Sequence, residues 1–354
     1  MRRNCILLTG CLLLFTTLFS QSVFSSEEPE ILTILAHDSF GVSEHVIDGF
    51  EQKHHATVRF IKVENTGAVL KQALAFRRRS PAADIVFGLD NTMMGPALEA
   101  NIFEPYASPL LNQIPDEFKL DPENRLLPVD YGDVCLNYDK KWFARRGLAP
   151  PGSLEDLTRP MYDRLTVVEN PASSSPGLAF LLMTIAHFGE DDFLDYWADL
   201  RDNGLLVVNG WKQAYSGYFS GASKGNRPIV ISYSSSPAAE VFFAEPPIYE
   251  APSAAITDPG MTFRQVEFVG ILKGARNKEL ARRWVDYMLD IPFQKDIPLQ
   301  MFVFPVNPSA PLPDLFTRYA RIARKPAGMP MEKIQKNRKK WVEAWSEVVF
   351  KYKP

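Results

Sequence analysis

The run "RLTVVENPASSSPGLAFLLMTIAHFG" (Arg164–Gly189) decides how this chain is built. It opens as a short apolar segment rich in β-branched residues and turns on Asn170, Pro171 and three serines. It then resumes as a longer apolar run. A strand that ends in hydroxyls and leads into a helix is the basic step of a βαβ unit. The step recurs at "PIVISYSSSPAAEVF" (Pro228–Phe242), where another apolar run ends in three serines and a proline. In both corners the proline suits the first helical turn, where its missing N–H costs nothing, and a preceding serine is expected to cap. Unpaired N–H groups and the positive end of the helix dipole make such a corner a site for an anionic or strongly polar group.

The flanking sequence repeats the pattern. "ILTILAHDSF" (Ile31–Phe40) reads as a strand and "SEHVIDGFEQKHHA" as a helix. "TVRFIKVENTG" follows as a strand, "AVLKQALAFRRR" as a helix and "ADIVFGLDN" as a short buried strand. This β–α–β–α–β order implies parallel strands with crossover helices. Further on, "LLVVNGW" and "FRQVEFVGILKGA" read as strands, and "NKELARRWVDYMLD" as a helix with Leu280, Trp284, Tyr287 and Met288 on one face. The tail "KNRKKWVEAWSEVVFKYKP" is amphipathic, with Trp341, Trp345 and Val348 in one stripe and its basic run on a solvated face. Two such units in series predict an α/β, bilobal architecture with a ligand cleft beyond the carboxyl ends of the strands. Lobe 1 is expected over 26–130 and 250–310, lobe 2 over 131–249, and a C-terminal helical segment over 311–354.

Composition narrows the function. With 354 residues, 46% hydrophobic and 23% charged, the chain can bury a substantial core. A net charge of −3 gives no sign of nucleic acid as a partner. The start, "MRRNCILLTGCLLLFTTLFSQSVFSS", has a basic opening, an apolar run and small polar residues, which is the pattern of an export signal over 1–25 with cleavage after Ser25. A rival reading places lipidation at Cys11 within "LTGC". Cleavage after Ser25 would remove Cys5 and Cys11 and leave Cys135 alone, so no internal disulfide is expected, and its alternating surroundings mark it as a small buried residue.

The strand ends are polar, and several carry a ring: "AHDSF", "VENTGA", "FGLDN", "ENPASSSPG", "VNGWKQAY" and "ISYSSSPA". "ENTGAVL" lacks the glycine and lysine spacing of a nucleotide P-loop. A GxSxG elbow is absent, no histidine lies in a triad-forming turn and no His/Cys/carboxylate spacing fits zinc, so neither a catalytic nor a metal site is expected.

With these residues in view, the chain resembles the periplasmic thiamine-binding proteins of ABC importers, from about Leu32 to the last helix. The segments that carry the likeness are "HDSF", "ADIVFGLDN", "PVDYG", "SSPGLAFLL", "NGWKQAY", "ISYSSSPA", "FRQVE" and "FVFPVN", in that order. The resemblance implies the type II periplasmic-binding fold and a ligand that is thiamine, its monophosphate or its diphosphate, with no cofactor. It also implies a periplasmic location and an inner-membrane permease and ATPase as partners. It puts a ligand-contacting turn at Thr66–Gly67, a phosphate-facing corner at Ser174 and Ser175, and an aromatic platform at Trp211. A second corner falls at Tyr233, Ser234, Ser235 and Ser236. Stacking of a thiazolium on Trp211 or Tyr233 would contribute about 0.5–2 kcal/mol per contact, and Asp38 is the candidate to balance the cation. The chain departs from the family pattern at three places: His37 replaces a tyrosine, Thr66 an acidic residue and Phe302 a tryptophan. His37 is expected to act as a stacking or hydrogen-bonding ring. Two other ligands fit the same fold. Ferric iron would want paired tyrosines, which are missing here, whereas a polyamine could use Asp38, Asp90, Asp130 and Asp133.

Overall fold

The computed structural model describes residues 28–76 and 81–350, so the proposed leader, with both its Ser25 and Cys11 alternatives, lies outside the described residues. The strands are β1 (Glu30–His37), β2 (Ala56–Val63), β3 (Ile85–Asp90), β4 (Phe103–Glu104), β5 (Leu127–Asp139), β6 (Thr166–Glu169), β7 (Leu206–Val208), β8 (Ile229–Tyr233), β9 (Ser253–Ile256), β10 (Thr262–Leu272) and β11 (Phe304–Pro305). The helices that matter for the site are α1 (Glu44–His54), α2 (Thr66–Phe76), α3 (Met94–Glu99), α4 (Lys140–Arg146), α5 (Ser175–Asp202), α6 (Ser236–Phe242) and α7 (Lys278–Leu289). After them come α8 (Ile291–Gln294), α9 (Ile297–Gln300), α10 (Asp314–Tyr319) and α11 (Met331–Phe350).

All the strands belong to one sheet, with the order β2-β1-β3-β10-β5-β8-β6-β7 along its main path. Two parallel triplets, β2-β1-β3 and β8-β6-β7, flank a long antiparallel pair, β10 and β5. The parallel strands carry near-continuous apolar runs because helices cover them, as β1 shows with Leu32, Ile34, Leu35 and Ala36 fully buried. Both βαβ arrays read from the sequence are therefore present, joined by a shared central pair into a single sheet.

Two hydrophobic cores lie on either side of that pair. The first gathers β1, β2 and β3 with α7 around Phe50, Phe87 and Trp284; the second gathers β6 and β8 with α5 around Phe180, Trp197 and Trp345. β5 gives Leu127, Val129 and Tyr131 to the first core and Val134 and Leu136 to the second, and β10 divides in the same way between Val266–Leu272 and Phe263. Each long strand thus passes from one lobe to the other near its middle. Cys135 is a fully buried residue on β5, as its pattern predicted. The C-terminal segment does not stand apart: Phe316 joins the first core, while Ile334, Trp341 and Trp345 of α11 join the second.

α5 consists of two helical pieces joined across a kink at Gly189. Gly189 has φ 86° and breaks the helix without terminating it, because Phe193, Tyr196, Trp197 and Leu200 resume the buried face beyond it.

Candidate functional site

Six parallel strands end at the midline of the sheet, and those ends form the site. On the second lobe, β6 ends at Glu169, β7 leads to Asn209 and Trp211, and β8 ends at Tyr233. The Asn170 N–H donates to the Val208 carbonyl at 2.7 Å and Ser173 Oγ to the Asn209 carbonyl at 2.8 Å, which ties the first two turns together. Ser174 stands at the N-cap of α5 with Ser175 following it, and both are buried. Trp211 stacks on Tyr215 with centroids 5.0 Å apart and planes 18° off parallel, and its Nε1 donates to Ser232 Oγ at 2.8 Å. Tyr233 lies against Gly132, where a Cβ would sit 2.7 Å from its Cδ1, and its hydroxyl donates to Gln265 Oε1 at 3.3 Å.

On the first lobe, β1 ends at His37, β2 leads through Asn65 to Thr66 and Gly67, and β3 ends at Asp90. Asn65 caps α2 by accepting from the Ala68 N–H at 3.0 Å. A Cβ on Gly67 would lie 3.7 Å from the Ser173 carbonyl, so the turn of one lobe meets the serine corner of the other. Leu70 of α2 packs against both cores.

At the edge of the first lobe that faces Tyr233 lies a row of three carboxyl groups. Glu267 of β10 is in register with Asp90 of β3 on one side and with Asp130 of β5 on the other. The register slips just after Glu267, a bulge of the kind that re-aims a side chain. His37 reaches this row across β3: its Nε2 lies 3.0 Å from Glu267 Oε1, and its ring occupies the space where a Cβ on Gly88 would be, 2.2 Å from His37 Cδ2. The positive φ of Gly88, 87°, and its missing side chain open that path.

Burial dominates the electrostatics. It raises Asp90, although Thr92 and the nearby Ser175 favour the anion. It pushes Asp130 well above the carboxylate range, with Glu267 beside it adding to the rise. Burial also pushes Glu267 up, but His37 brings it back below its ordinary value. At His37 burial lowers the pKa, while Glu267, Asp38 and Asp90 together raise it above the ordinary value. Across the gap, burial takes Glu169 up to about 8, and it raises the Tyr233 hydroxyl well above its usual range, helped by Glu267, Asp90 and Glu169. The row therefore pairs His37 with Glu267 beside two acids, Asp90 and Asp130, whose carboxyl groups burial pushes up. Asp130 lies within hydrogen-bonding reach of Glu267, and Asp90 within reach of Ser175, whereas both oxygens of Glu169, across from the row, are buried and outside hydrogen-bond geometry. Buried polar groups without partners cost free energy, and a cationic or hydrogen-bonding ligand is the natural compensation.

The residues expected from sequence fall into three groups. His37, Thr66, Gly67, Ser174, Ser175, Trp211 and Tyr233 all lie at the strand ends facing the midline. Ser234, Ser235 and Ser236 are buried and their hydroxyls are engaged within the protein: Ser234 donates to the Arg321 carbonyl and Ser235 to the Phe302 carbonyl, each at 2.5 Å, and Ser236 pairs with Ser232 at 2.8 Å. The expectation that serines cap these helices is corrected, since neither Ser174 nor Ser235 makes a side-chain cap bond; the Ser235 hydroxyl is drawn to Phe302 instead. Phe302, at φ 55°, packs with Phe242, Phe243 and Phe316. Asp38 is exposed and accepts from Ser39, while Asp133 is held in a two-point pair with Arg264. Glu267 and Glu169 are missing from the expected set. Their signal was a charge inside "VEFVGIL" and at the end of "TVVE", runs too apolar to tolerate one without a purpose. Among the described residues no group of three or more His, Cys, Asp or Glu could hold a metal ion.

The family model of the bacterial extracellular solute-binding proteins matches residues 80–320. The thiamine-binding periplasmic protein of Brucella suis is 29% identical over 327 residues, 91% of this chain and 92% of that one. Its namesake in Escherichia coli K12 is 28% identical over 325 residues, 90% and 93% of the two chains. A solved periplasmic thiamin binding protein aligns with a TM-score of 0.78 and 25% identity, covering 91% of this chain and 97% of its own. The ferric binding protein from Campylobacter jejuni aligns with a TM-score of 0.71 over 90% of this chain and 100% of its own; at 18% identity it speaks for the fold alone. The two-lobed type II periplasmic-binding architecture implied by the strand order and the resemblance is the architecture of this chain.

Proposed function

Since this chain belongs to the bacterial extracellular solute-binding proteins, a family that carries solutes and catalyses nothing, we propose that it captures thiamine or a thiamine phosphate ester between its lobes. The observation that carries this reading is the buried row of Asp90, Glu267 and Asp130 opposite Tyr233 and the Ser174–Ser175 corner. A flat organic cation matches it at both ends. The thiazolium would take the negative charge of Glu267 and the faces of Tyr233 and Trp211. The hydroxyl or phosphate tail would take the N–H groups at the start of α5 and the Ser175 hydroxyl. The names carried by the relatives in Brucella and Escherichia support the same ligand. Export to the periplasm and delivery to an inner-membrane permease with its ATPase complete the proposal.

Titration calorimetry with thiamine, thiamine monophosphate and thiamine diphosphate tests it. Saturable heat with at least one of them is expected, and the ranking identifies the preferred form. Absence of heat with all three, from protein shown to be folded, would sink the assignment.

A further inference from the structure

We infer that this site takes up its cation in exchange for a proton: an organic cation docking against Glu267 displaces the proton shared by His37 and that carboxylate. The inference rests on the reading of the ligand as a thiamine-class cation and adds a linkage which that reading does not require.

The geometry supplies the argument. His37 Nε2 lies 3.0 Å from Glu267 Oε1, and both residues are buried. The charged and titratable groups that face His37 are Glu267 from β10, Asp90 from β3 and its own neighbour Asp38. The Phe87 ring lies against it, with centroids 5.8 Å apart. Behind Glu267 stands Asp130 of β5, and from the second lobe Glu169 and Glu267 both act on Tyr233. Arg338 of α11 feels Asp90, although its own burial works against its charge.

Within this enclosure His37 and Glu267 form a neutral pair. A permanent cation placed against Glu267 would leave one uncompensated positive charge in a dry site, which burial makes costly. Release of one proton restores the balance: imidazolium becomes imidazole, one H⁺ leaves to solvent, and the incoming cation takes over the carboxylate. His37 is the donor because it holds its charge through Glu267, and a second cation sharing that carboxylate weakens the hold. The neutral ring keeps its place over Gly88 and can still accept a hydrogen bond.

The sign follows from linkage. Below the His37 pKa the free protein carries one more proton than the complex, so affinity weakens as pH falls, by up to about tenfold per unit, and levels off above that pKa.

Calorimetry of the purified protein with thiamine, in two buffers of different protonation enthalpy, reads the exchange directly. The heats are expected to differ, with up to one proton released per thiamine bound at pH values below the His37 pKa. The dissociation constant should tighten as pH rises toward that pKa and then level off. Nitrogen-15 NMR of the imidazole identifies the donor: at a pH where the His37 ring is charged in the free protein, it should be neutral in the thiamine complex. Binding with equal heats in the two buffers would overturn the inference, and so would a His37 ring that keeps its charge in the complex. A lack of thiamine binding at every pH would instead overturn the functional reading, and this one with it.

Discussion

Glu169 closes β6 with both carboxylate oxygens buried and without hydrogen-bond partners, and burial lifts its pKa to about 8. In the unfolded chain the same group titrates near 4.5. Between these values the native state binds more protons than the unfolded state, so stability falls as pH rises from about 4.5 through 8. His37 works in the same direction: its folded pKa is raised, so its contribution is present below about 6.5 and is lost as pH climbs through the folded value. Urea denaturation midpoints of the ligand-free protein should therefore decline toward alkaline pH. Glu169→Gln should flatten that decline, and an unchanged profile would remove Glu169 as a cause. Trp211 offers a separate test. Its indole is held by Tyr215 on one face and Ser232 at its N–H. Loss of a stacking contact worth about 0.5–2 kcal/mol predicts a Kd for thiamine roughly 2- to 30-fold weaker in Trp211→Ala. Equal affinities would place Trp211 outside the ligand site.

At the scale of elements, the turn from β6 into α5 is the tightest joint in the site. A Cβ on Gly177 would lie 2.3 Å from the Glu169 carbonyl oxygen and 2.7 Å from its carbon, and backbone cannot move aside as the tip of a side chain can. Gly177→Ala should therefore separate the helix from the strand and cost about 1–3 kcal/mol, read as a lower urea midpoint. Ligand affinity should fall with it, because Glu169 and Ser175 are carried on the two sides of that joint. Retention of both stability and affinity would show that the turn has slack. The second serine corner plays a different part. With Ser234 and Ser235 donating to the backbone of Arg321 and Phe302, it ties β8 to the chain before β11 and after α10 and so fixes where Tyr233 stands.

For the molecule as a whole, β5 and β10 are the strands that pass from core to core, and the carboxyl row lies on their first-core side of that passage. α11 adds a third tie. Trp345 is fully buried and meets Trp197 edge to face at 5.5 Å, while at the other end of the helix Gln335 fills the space over Gly95 of α3 in the first lobe. Trp345→Ala should destabilise by about 3–5 kcal/mol, measured by chemical denaturation. A loss below about 1 kcal/mol would mean that α11 rests on the second core without supporting it. Because α11 also approaches Asp90 through Arg338, a loosened helix should weaken ligand binding as well.

Much of this was written in local pattern. Alternation and apolar runs marked the strands of both parallel arrays and β10, Ser-Pro steps marked the starts of α5 and α6, and the polar strand-end turns carrying Thr66, Ser174, Trp211 and Tyr233 stood out where those apolar runs end. Such signals depend on neighbours within a few residues, which a chain records directly. The partnership of His37 with Glu267, the row they form with Asp90 and Asp130, and the consumption of the Ser234 and Ser235 hydroxyls were decided only in three dimensions. Each depends on register between strands far apart in sequence, on a bulge after Glu267 and on the open space above Gly88. A carboxyl group in an apolar run announces that it is buried, but only packing tells it which charge it will meet.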